Sequence, residues 1–418
     1  MRVVFVNRYF HPDHSATSRM VSDLAFSLAG HDVHVVTSRQ RYGDAASDLP
    51  AAEEFRSVVV HRVPTTRFGR RRLAGRFLDY ASFYVTASLA LLRLARGGVV
   101  VACTDPPMFS VCAAIACRLT GARLINWLHD LFPEVAAGVG VIRAGGLPDR
   151  ALRRWRDWSL SAAALNVVPG GRMAQYLRER GVEPKTIRVI PNWADGDRIR
   201  PVPREANALR RRWGLGDAMV VGYSGNMGRA HEFSTLLEAA TLLRHRTDIR
   251  FLLIGDGHHR PWIEAEARRR GLENVMLQPL QDDTLLADSL GTADAHLVSL
   301  RPKLEGFVVP SKFYAAAAAG RPVLAVGDGD GEIARLVMAN ACGASVPHGD
   351  GPALAREIAR LADDPGLCRA LGGRARHAFE TRFHPQAATT AWVDLLATMA
   401  GPPSPDRRPS PALAAIDG

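Results

Sequence analysis

Short apolar runs alternate with longer segments whose apolar residues recur at helical spacing, and this alternation continues through most of the chain. In the first half, the apolar runs predict strands at residues 3–7, 33–37, 58–63, 99–104 and 123–128, with another ending near residue 168. Strands and helices that alternate in this way are typical of parallel sheets covered by helices on both faces.

The second half repeats the pattern and predicts strands at residues 220–224, 251–254, 275–277, 295–299, 322–326 and 343–346. A chain of 418 residues exceeds the size at which one hydrophobic core usually keeps growing. The sequence therefore predicts an α/β protein with two Rossmann-like domains. Ligands of such sheets bind at the carboxyl ends of the strands, so we expect the two domains to face each other across a cleft.

A polar segment at residues 195–203, preceded by a proline-containing stretch, places the domain boundary near residues 190–205. We therefore expect domains at residues 1–195 and 205–380. Residues 381–400 are expected to form a helix that packs back across the junction. The proline-rich residues 401–418 have little to bury and are expected to be disordered.

Composition narrows the class of protein. Hydrophobic residues make up 47% of the chain and charged residues 23%, as in globular proteins. The five cysteines include no CxxC pair, so neither a disulfide nor a zinc site is expected. The N-terminal residues are typical of a strand rather than an export signal, and no apolar run is long enough to cross a bilayer. We expect a cytoplasmic protein, with peripheral contact at the inner face of the membrane as an option.

The formal net charge of +11 favours a phosphorylated substrate, an anionic membrane or nucleic acid as partner. Cations and aromatic residues interleave in one segment, where the candidates for membrane contact are Arg70, Arg71, Arg72, Arg76 and Phe77. A solvated helix with a buried opposite face is the alternative. No helix-turn-helix, zinc or RNP motif accompanies the segment, so nucleic acid is not an expected partner.

A glycine-containing turn follows the first strand of the second half. In Gly225-Asn226-Met227-Gly228-Arg229, the two glycines would let backbone N–H groups approach an anion, and Arg229 supplies a positive charge. The two glycines could equally be needed only for the backbone conformation of the turn, because strand-to-helix turns often contain glycine for that reason. The Gly255-Asp256-Gly257 turn after the next strand is most simply structural.

A second candidate site lies in Glu305-Gly306-Phe307-Val308-Val309-Pro310-Ser311-Lys312, which leads into a short alanine-rich helix. A helix beginning at Pro310 would direct its free N–H groups at the cleft, and Ser311 and Lys312 would add a hydroxyl and a cation suited to a diphosphate. The carboxylate of Glu305 can accept hydrogen bonds from sugar hydroxyls. A solvated loop acid is the alternative for Glu305.

In register, these segments resemble the retaining GT-B glycosyltransferases of family 4, and the resemblance covers most of residues 215–390. It implies a nucleotide-sugar-binding C-terminal domain, an acceptor-binding N-terminal domain, and no metal or other cofactor. Asp328-Gly329-Asp330 is accordingly not expected to bind a metal, and Arg229 and Lys312 would stabilise the departing diphosphate. The implied donor-binding residues are Gly225, Asn226, Gly228, Arg229, Gly255, Asp256, Gly257, Glu305, Gly306, Phe307, Pro310, Ser311 and Lys312.

The family usually carries a second glutamate, separated from the first by seven intervening residues, that contacts the nucleotide ribose. Phe313 occupies that position here. The Pro310-Ser311-Lys312 variant resembles a branch that includes the WbuB-like and colanic acid transferases, in which the second glutamate falls slightly later. Ala315 offers no carboxylate there either.

Polar residues at the strand ends of the first half form the candidate acceptor side. His129 and Asp130 end a strand and could orient or deprotonate an acceptor hydroxyl, although satisfied strand-end residues are the alternative. The predicted catalytic set is Glu305, His129, Asp130, Arg229 and Lys312. The other acceptor-side candidates are His11, Ser15, Thr17, Thr104, Asp105 and Glu134.

The leading hypothesis is transfer of a hexose-type sugar from a nucleoside diphosphate sugar, with retention, in surface polysaccharide biosynthesis. The acceptor would be a glycan or a polyprenyl-diphosphate-linked sugar. Two alternatives remain open from the residues: a nucleotide-sugar epimerase on the same scaffold, and a non-catalytic nucleotide-sugar binder.

Overall fold

The computed structural model describes residues 1–28, 30–42, 44, 46–69 and 73–399. The N-terminal sheet contains β1 (Arg2–Val6), β2 (Asp32–Ser38), β3 (Ala52–Phe55), β4 (Val58–Val63), β5 (Val99–Cys103), β6 (Arg123–Trp127), β7 (Leu165–Val168) and β8 (Ile187–Val189). Its strand order is β3-β4-β2-β1-β5-β6-β7-β8, and only β3 runs antiparallel to its neighbour. The central strand β5 is buried along its whole length because helices cover both faces.

The C-terminal sheet contains β9 (Met219–Ser224), β10 (Ile249–Ile254), β11 (Val275–Gln278), β12 (Ala295–Ser299), β13 (Val323–Gly327) and β14 (Gly343–Pro347). All of its strands are parallel, in the order β11-β10-β9-β12-β13-β14. The prediction of two Rossmann-like α/β domains is therefore confirmed.

Helices connect the strands of both sheets. Those of the N-terminal domain are α1 (Ala16–Ser27), α2 (Leu73–Leu94), α3 (Phe109–Thr120), α4 (Glu134–Gly138), α5 (Leu147–Ala162) and α6 (Gly171–Glu179). The remaining helices are α7 (Ala208–Arg212), α8 (Ser234–Leu242), α9 (Arg260–Arg270), α10 (Leu286–Gly291), α11 (Lys312–Ala318), α12 (Glu332–Ala339), α13 (Gly351–Asp363), α14 (Pro365–Ala378) and α15 (Pro385–Met399). None of the described helices is long and apolar enough to cross a membrane.

Every strand predicted from an apolar run is present, with ends that shift by one or two residues. Two short strands, β3 and β8, were not predicted. The β3 strand has mostly exposed, polar residues, so it carries no apolar run and forms only through pairing with β4. The β8 strand lies in the stretch that was interpreted as part of the junction, and it pairs with β7 at the sheet edge.

The C-terminal helix α15 returns to the N-terminal domain. Trp392, Leu395 and Leu396 on this helix pack in the same buried cluster as Val3 and Phe5 of β1. The ring of Trp392 lies 4.8 Å from that of Trp127 at the end of β6. The last helix therefore completes the core of the first domain. The predicted disordered tail, residues 401–418, lies outside the described residues.

We expect Trp392→Ala to lower the free energy of unfolding by about 3–5 kcal/mol, because it leaves a cavity where a fully buried aromatic side chain packed. Urea denaturation followed by circular dichroism measures this change. Val393→Ala on the exposed side of the same helix is the control and should cost less than about 0.5 kcal/mol. Equal losses in the two variants would contradict the packing role of Trp392.

Candidate functional site

A cavity of about 460 Å³ lies between the two domains, at the carboxyl ends of their strands. The N-terminal domain lines it with His14, Arg19 and Asp23, from the start of α1 and the loop before it. The segment between the domains adds Trp193, Asp195 and Arg198, and the C-terminal domain adds Ser224, Gly225, Asn226, Ser311, Lys312 and Ala315. The structure thus brings both predicted phosphate-binding segments of the C-terminal domain to one cavity.

The loop after β9 is held by the loop after β10. The N–H of Gly225 donates to the carbonyl of Ile254 (2.9 Å), and the N–H of Met227 donates to that of Asp256 (2.7 Å). Gly255 has φ +133°, and a Cβ there would lie 2.2 Å from the Gly225 carbonyl oxygen. Gly255 therefore permits the close approach of the two loops, and Asp256 is exposed in a turn. Because the Gly225 N–H is already bonded, it is not free to bind an anion.

The Lys312 ammonium is the cation at the centre of the C-terminal side. Its Nζ lies 3.1 Å from Nε2 of His231 and 5.0 Å from the ring centre of Tyr223. His231 Nδ1 lies 2.7 Å from the Ser299 carbonyl oxygen and donates to it, so Nε2 carries the lone pair that accepts from Lys312. Burial lowers the pKa of Lys312 to about 8. Burial and the charge of Lys312 lower the pKa of His231 to about 3, so this imidazole is neutral at pH 7.

The other residues of the predicted phosphate site are less central. Arg229 is exposed and does not line the 460 Å³ cavity. Ser311 is exposed at the cavity, whereas Pro310 is buried. The helix begins at Lys312, two residues later than predicted.

Glu305 lies on a second, smaller cavity of about 130 Å³ between the domains, opposite Arg172 and Tyr176 of α6. Its Oε2 accepts a hydrogen bond from the N–H of Glu332 (3.3 Å) at the start of α12. Burial, with the nearby charge of Asp328, raises the pKa of Glu305 to about 7. The carboxyl group therefore exists in both protonation states near neutral pH.

Phe307, which was predicted to contact the donor, lines the smaller cavity together with Glu305 and also joins the two domains. Its ring packs edge-on against Tyr176 with the ring centres 4.9 Å apart, and its carbonyl accepts from the N–H of Leu131 (2.9 Å). Its neighbour Gly306 is buried against the backbone of Arg172. In this arrangement both residues face the N-terminal domain rather than the larger cavity.

The two positions at which the family can carry its second glutamate, Phe313 and Ala315 here, differ in burial. Phe313 is fully buried in the core of the C-terminal domain, against Tyr314 and Phe383. Ala315 lines the larger cavity instead. The position that faces the cleft is therefore Ala315, and Phe313 is a core residue.

The predicted acceptor-side residues at the ends of β5 and β6 come together. Asp130 is next to Thr104, which donates a hydrogen bond to it, and near Asp105. Burial and the charge of Asp105 raise the pKa of Asp130 to about 6. Burial lowers the pKa of His129 to about 4, and the polar group beside its ring is the side chain of Asn192. Asp130 also forms a β-bridge with Val308, so this pair contacts the loop that carries Glu305.

Glu134 does not belong to this group. Its carboxylate is buried and accepts from Arg156 (2.6 Å), from Arg153 (2.5 Å) and from the hydroxyl of Tyr176 (2.6 Å). Two cations and a hydroxyl satisfy the buried charge, which gives Glu134 a structural role in place of the predicted acceptor contact.

The predicted acceptor-side residues that follow β1 lie partly at the edge of the sheet and partly at the start of α1. His11 stacks on Phe55 with ring centres 4.5 Å apart, at the edge of the sheet, and does not line the cavity. Ser15 is the residue before α1, where its N–H donates to Asp13 (2.8 Å), and Thr17 lies in the first turn. Neither Ser15 nor Thr17 lines the larger cavity.

Two of the interdomain contacts that were not predicted involve Asp283 and Glu332. Asp283 accepts from Arg19 of α1 (2.7 Å) and lies 3.2 Å from His14 and 3.3 Å from Arg198. Burial alone would raise the pKa of Asp283, but the hydrogen bond and charge of Arg19 lower it. The sequence shows only a polar loop here, because nothing in it indicates that α1 lies opposite.

The second unpredicted contact joins α12 to α6. Oε2 of Glu332 accepts from the N–H of Arg172 (2.8 Å) in the first turn of α6. Gly170 precedes this helix, and a Cβ on it would lie 2.3 Å from Cδ of Glu332. A carboxylate of the C-terminal domain therefore caps a helix of the N-terminal domain.

Asp330 of the Asp328-Gly329-Asp330 turn is engaged in ion pairs with arginines. Asp330 pairs with Arg335 (2.8 Å) and with Arg172 (3.3 Å). Across the part of the chain that the structure describes, no three His, Cys, Asp or Glu side chains are grouped as metal ligands.

Of the residues predicted to contact a membrane, Arg70, Arg71 and Arg72 lie outside the described residues. Arg76 donates to the hydroxyl of Tyr80 (2.8 Å), four residues along α2. Phe77 is exposed on the outer side of the same helix.

Known protein families match both of the domains that border this cleft. The family described as Glycosyltransferase Family 4 matches residues 18–198, and the family described as Glycosyl transferases group 1 matches residues 218–364. The two matches correspond to the two Rossmann-like domains. The chain is a GT-B glycosyltransferase of the group 1 and family 4 type. Both family descriptions favour the transferase hypothesis over the epimerase alternative.

Curated relatives of this glycosyltransferase come from bacteria. It is 28% identical over 326 residues to the probable glycosyltransferase WbjE of Pseudomonas aeruginosa, covering 76% of this chain and 79% of the relative. It is 26% identical over 357 residues to the putative colanic acid biosynthesis glycosyl transferase WcaI of Escherichia coli K12, covering 80% and 86%.

Solved structures show the same fold as this glycosyltransferase. A sucrose-phosphate synthase from Thermosynechococcus elongatus superposes with a TM-score of 0.76 at 20% identity, over 96% of this chain and 99% of that one. Anabaena HepE, solved in complex with UDP and glucose, superposes with a TM-score of 0.72 at 17% identity, over 95% and 100%.

We expect Lys312→Met to raise the free energy of unfolding at pH 7 by about 1–2 kcal/mol, because it removes a buried charge. The pKa of Lys312 is about 8 in the folded protein against a usual 10.5, so the folded state binds fewer protons between these pH values and gains stability as the pH rises through them. The stabilisation by the variant should therefore shrink at pH 10. Urea denaturation at both pH values measures it.

Lys303→Met serves as the control, because Lys303 is exposed. It should leave the free energy of unfolding unchanged at either pH. A Lys312→Met variant that is less stable than the wild type at pH 7 would contradict the burial cost.

Proposed function

We propose that this glycosyltransferase moves a sugar from a nucleoside diphosphate sugar to a glycan or polyprenyl-diphosphate-linked acceptor, with retention at the anomeric carbon. The observation that carries the proposal is the Lys312 ammonium at an interdomain cavity, next to the loop after β9. Among the described residues, no carboxylate forms an ion pair with Lys312. A buried cation of this kind is suited to an anionic ligand, because a ligand that brings negative charge offsets the cost of burying it.

Lys312 would hold the diphosphate. The ammonium can donate to phosphate oxygens while it keeps its contact with His231, because it has three N–H groups. Charge on the leaving diphosphate grows as the glycosidic bond breaks, so this cation stabilises the transition state more than the ground state. Arg229 is exposed and does not line this cavity, so we expect it to contribute less to the phosphates than Lys312 does.

Glu305 would orient the donor sugar. Its carboxylate lies at the domain interface, where sugar hydroxyls can donate to it, and its pKa of about 7 leaves a large carboxylate fraction at neutral pH. Its neighbours Val308 and Phe307 contact Asp130 and Leu131, so the sugar-facing acid and the acceptor side are held at fixed separation. Retention would follow from attack by the acceptor hydroxyl on the face from which the diphosphate leaves.

Asp130 would assist the acceptor hydroxyl. It has a raised pKa of about 6, so at pH 7 it is mostly a carboxylate and can accept a proton or a hydrogen bond from the attacking group. His129 is neutral at this pH and packs beside it. The name of the relative WcaI, a putative colanic acid biosynthesis enzyme, supports a role in surface polysaccharide assembly.

We expect the affinity for UDP to fall as the pH rises above about 8, because Lys312 loses its charge there. The loss should reach about 10- to 100-fold, the range for a hydrogen bond to a charged group. Isothermal titration calorimetry between pH 6.5 and 9.5 measures it. In Lys312→Arg the guanidinium stays charged, so the decline above pH 8 should be absent; a decline that persists in this variant would rule out Lys312 as the titrating group.

The reaction itself is tested by turnover. With a UDP-sugar and a lipid-linked or glycan acceptor, we expect kcat to increase with pH through about 7, as Glu305 becomes a carboxylate. Glu305→Gln should lower kcat about 100-fold, flatten this increase, and leave UDP affinity unchanged. Formation of an epimerised donor without acceptor, or donor binding with no transfer to any acceptor, would instead support one of the two alternatives.

A further inference from the structure

A further cavity, of about 620 Å³, is lined only by residues of the C-terminal domain. Its walls come from the start of α8, the start of α9 and the loops after β12 and β14. None of the residues predicted to bind the donor or the acceptor lines it. The side chains that bring polar or aromatic groups to it include His231, Ser234, His258, His259, Trp262, Arg301 and His348. We refer to it as the α9 cavity.

One imidazole separates the α9 cavity from the interdomain cavity. His231 lines the α9 cavity, and its Nε2 lies 3.1 Å from Nζ of Lys312, which lines the interdomain cavity of 460 Å³. The ring of His231 is fixed because its Nδ1 donates to the carbonyl of Ser299 (2.7 Å). The two cavities share no lining residue. A ligand of the α9 cavity would therefore bind apart from a diphosphate held by Lys312.

Arg301 gives the α9 cavity a cation. Its guanidinium donates to Nε2 of His259 (3.3 Å), and no carboxylate among the described residues forms an ion pair with it. The acid among the lining residues is Glu232, which is buried. Its Oε1 accepts from the N–H groups of Ser234 (2.5 Å) and Thr235 (3.1 Å) at the start of α8. Because Glu232 caps this helix, the guanidinium of Arg301 is left to bind an anion.

His259 holds Arg301 without adding a charge of its own. Burial lowers the pKa of His259, and the positive charges of Arg301, His258 and Arg229 lower it further. The imidazole is therefore neutral at pH 7, and its Nε2 keeps the lone pair that accepts from Arg301. The same surrounding positive charge attracts an anion to the cavity.

Aromatic rings form one side of the α9 cavity. The ring centres of Phe233 and His259 lie 5.7 Å apart, and those of His259 and Trp262 lie 6.3 Å apart. Phe233 is buried, whereas Trp262, in the first turn of α9, is 44% exposed. The indole thus offers an apolar surface next to the guanidinium of Arg301. Apolar walls with a few polar groups that fix orientation are typical of small-molecule sites, as is the volume of this cavity.

We propose that the α9 cavity binds a phosphorylated sugar, with the phosphate on Arg301 and one face of the sugar ring on Trp262. Guanidinium N–H groups match phosphate oxygens in both geometry and charge. The C–H face of a sugar ring is apolar and is removed from water when it lies on an indole. Ser234, His258 and His348 are exposed at the cavity and can exchange hydrogen bonds with hydroxyls at the edge of the ring.

A nucleoside phosphate fits the α9 cavity less well. Its base could stack on the same indole, but a base has no hydroxyl groups at its edge for these three polar side chains. The proposal concerns a second ligand of the chain and does not depend on the transfer reaction.

Isothermal titration calorimetry with glucose 6-phosphate tests the proposal. Lys312→Met is the background, because it removes the cation of the interdomain cavity but no lining residue of the α9 cavity. In this background, glucose 6-phosphate should bind about 10- to 100-fold more tightly than glucose, which lacks the charged group. Adding Arg301→Gln should abolish this difference. Adding Arg268→Gln, at an exposed position near the end of α9, is the matched control and should preserve it.

The aromatic side of the cavity is tested separately by Trp262→Ala. In the same background, it should lower the affinity for glucose 6-phosphate about fivefold, as expected when roughly 40 Å² of apolar contact is lost. Its affinity for inorganic phosphate, which has no ring, should stay unchanged. Trp155→Ala, at an exposed position of α5, is the control and should leave both affinities unchanged. Circular dichroism spectra that match the background show that the variants are folded.

Three results would overturn the proposal. Glucose 6-phosphate could fail to bind to Lys312→Met, or bind equally well after addition of Arg301→Gln and of Arg268→Gln. Tighter binding of uridine monophosphate than of glucose 6-phosphate, with loss in Arg301→Gln, would identify a nucleoside phosphate as the ligand instead. Because every measurement is made without Lys312, none of these results depends on whether Lys312 holds the donor diphosphate.

Discussion

The Lys312 ammonium lies in the cleft with a neutral imidazole, an aromatic face and a glycine around it, and it forms no ion pair with a described carboxylate. Holding a cation there requires several elements at once. Tyr223 comes from β9, Ser299 fixes His231 from the end of β12, and the tight loop at Gly255 positions the turn beside Lys312. Parallel strands make this possible, because their carboxyl ends lie side by side at one edge of the sheet.

The geometry of the site also depends on how the two domains meet. The loop between Glu305 and Pro310 contacts the ends of β6 and α6, and Asp283 contacts α1. Helix α15 belongs by sequence to the end of the chain but by packing to the first domain. The chain therefore crosses between the domains twice, and the first crossing lines the larger cavity with Trp193, Asp195 and Arg198.

The two sheets, and the strand ends at the cleft, could be predicted from the sequence because they depend on the pattern of apolar residues. Apolar runs indicate strands buried on both faces, and the topology places the carboxyl ends of those strands together, so Lys312, Thr104 and Asp130 were assigned to the cleft without knowledge of any distance. The structure lines the larger cavity with Lys312 and brings Thr104 next to Asp130. Glu134 could not be placed this way, because its partners Arg153 and Arg156 lie 19 and 22 residues further along the chain and reach it only through the packing of α5.

Residues at domain contacts were the least accessible to prediction. Phe307 was assigned to the donor and also packs against the other domain, whereas Phe313, which stands where the family has its second glutamate, packs into the core. Spacing along the chain located both positions, but it did not indicate which side chain lies in the core. Asp283 and Glu332 were missed because their partners belong to the other domain. The pattern of one strand or helix contains no information about which part of the other domain lies opposite.

The capping of α6 by Glu332 has a consequence for motion between the domains. Separating the domains breaks the hydrogen bond from the N–H of Arg172 to Glu332, which leaves the first turn of α6 without its acceptor and exposes the carboxylate to solvent. Loss of this helix cap therefore opposes opening, in addition to the loss of side-chain packing. Burial at the domain contact raises the pKa of Glu305, and the charge of Arg172 in the N-terminal domain lowers it, so the same motion changes the acidity of Glu305. The protonation of one carboxyl group is thus linked to the distance between two domains.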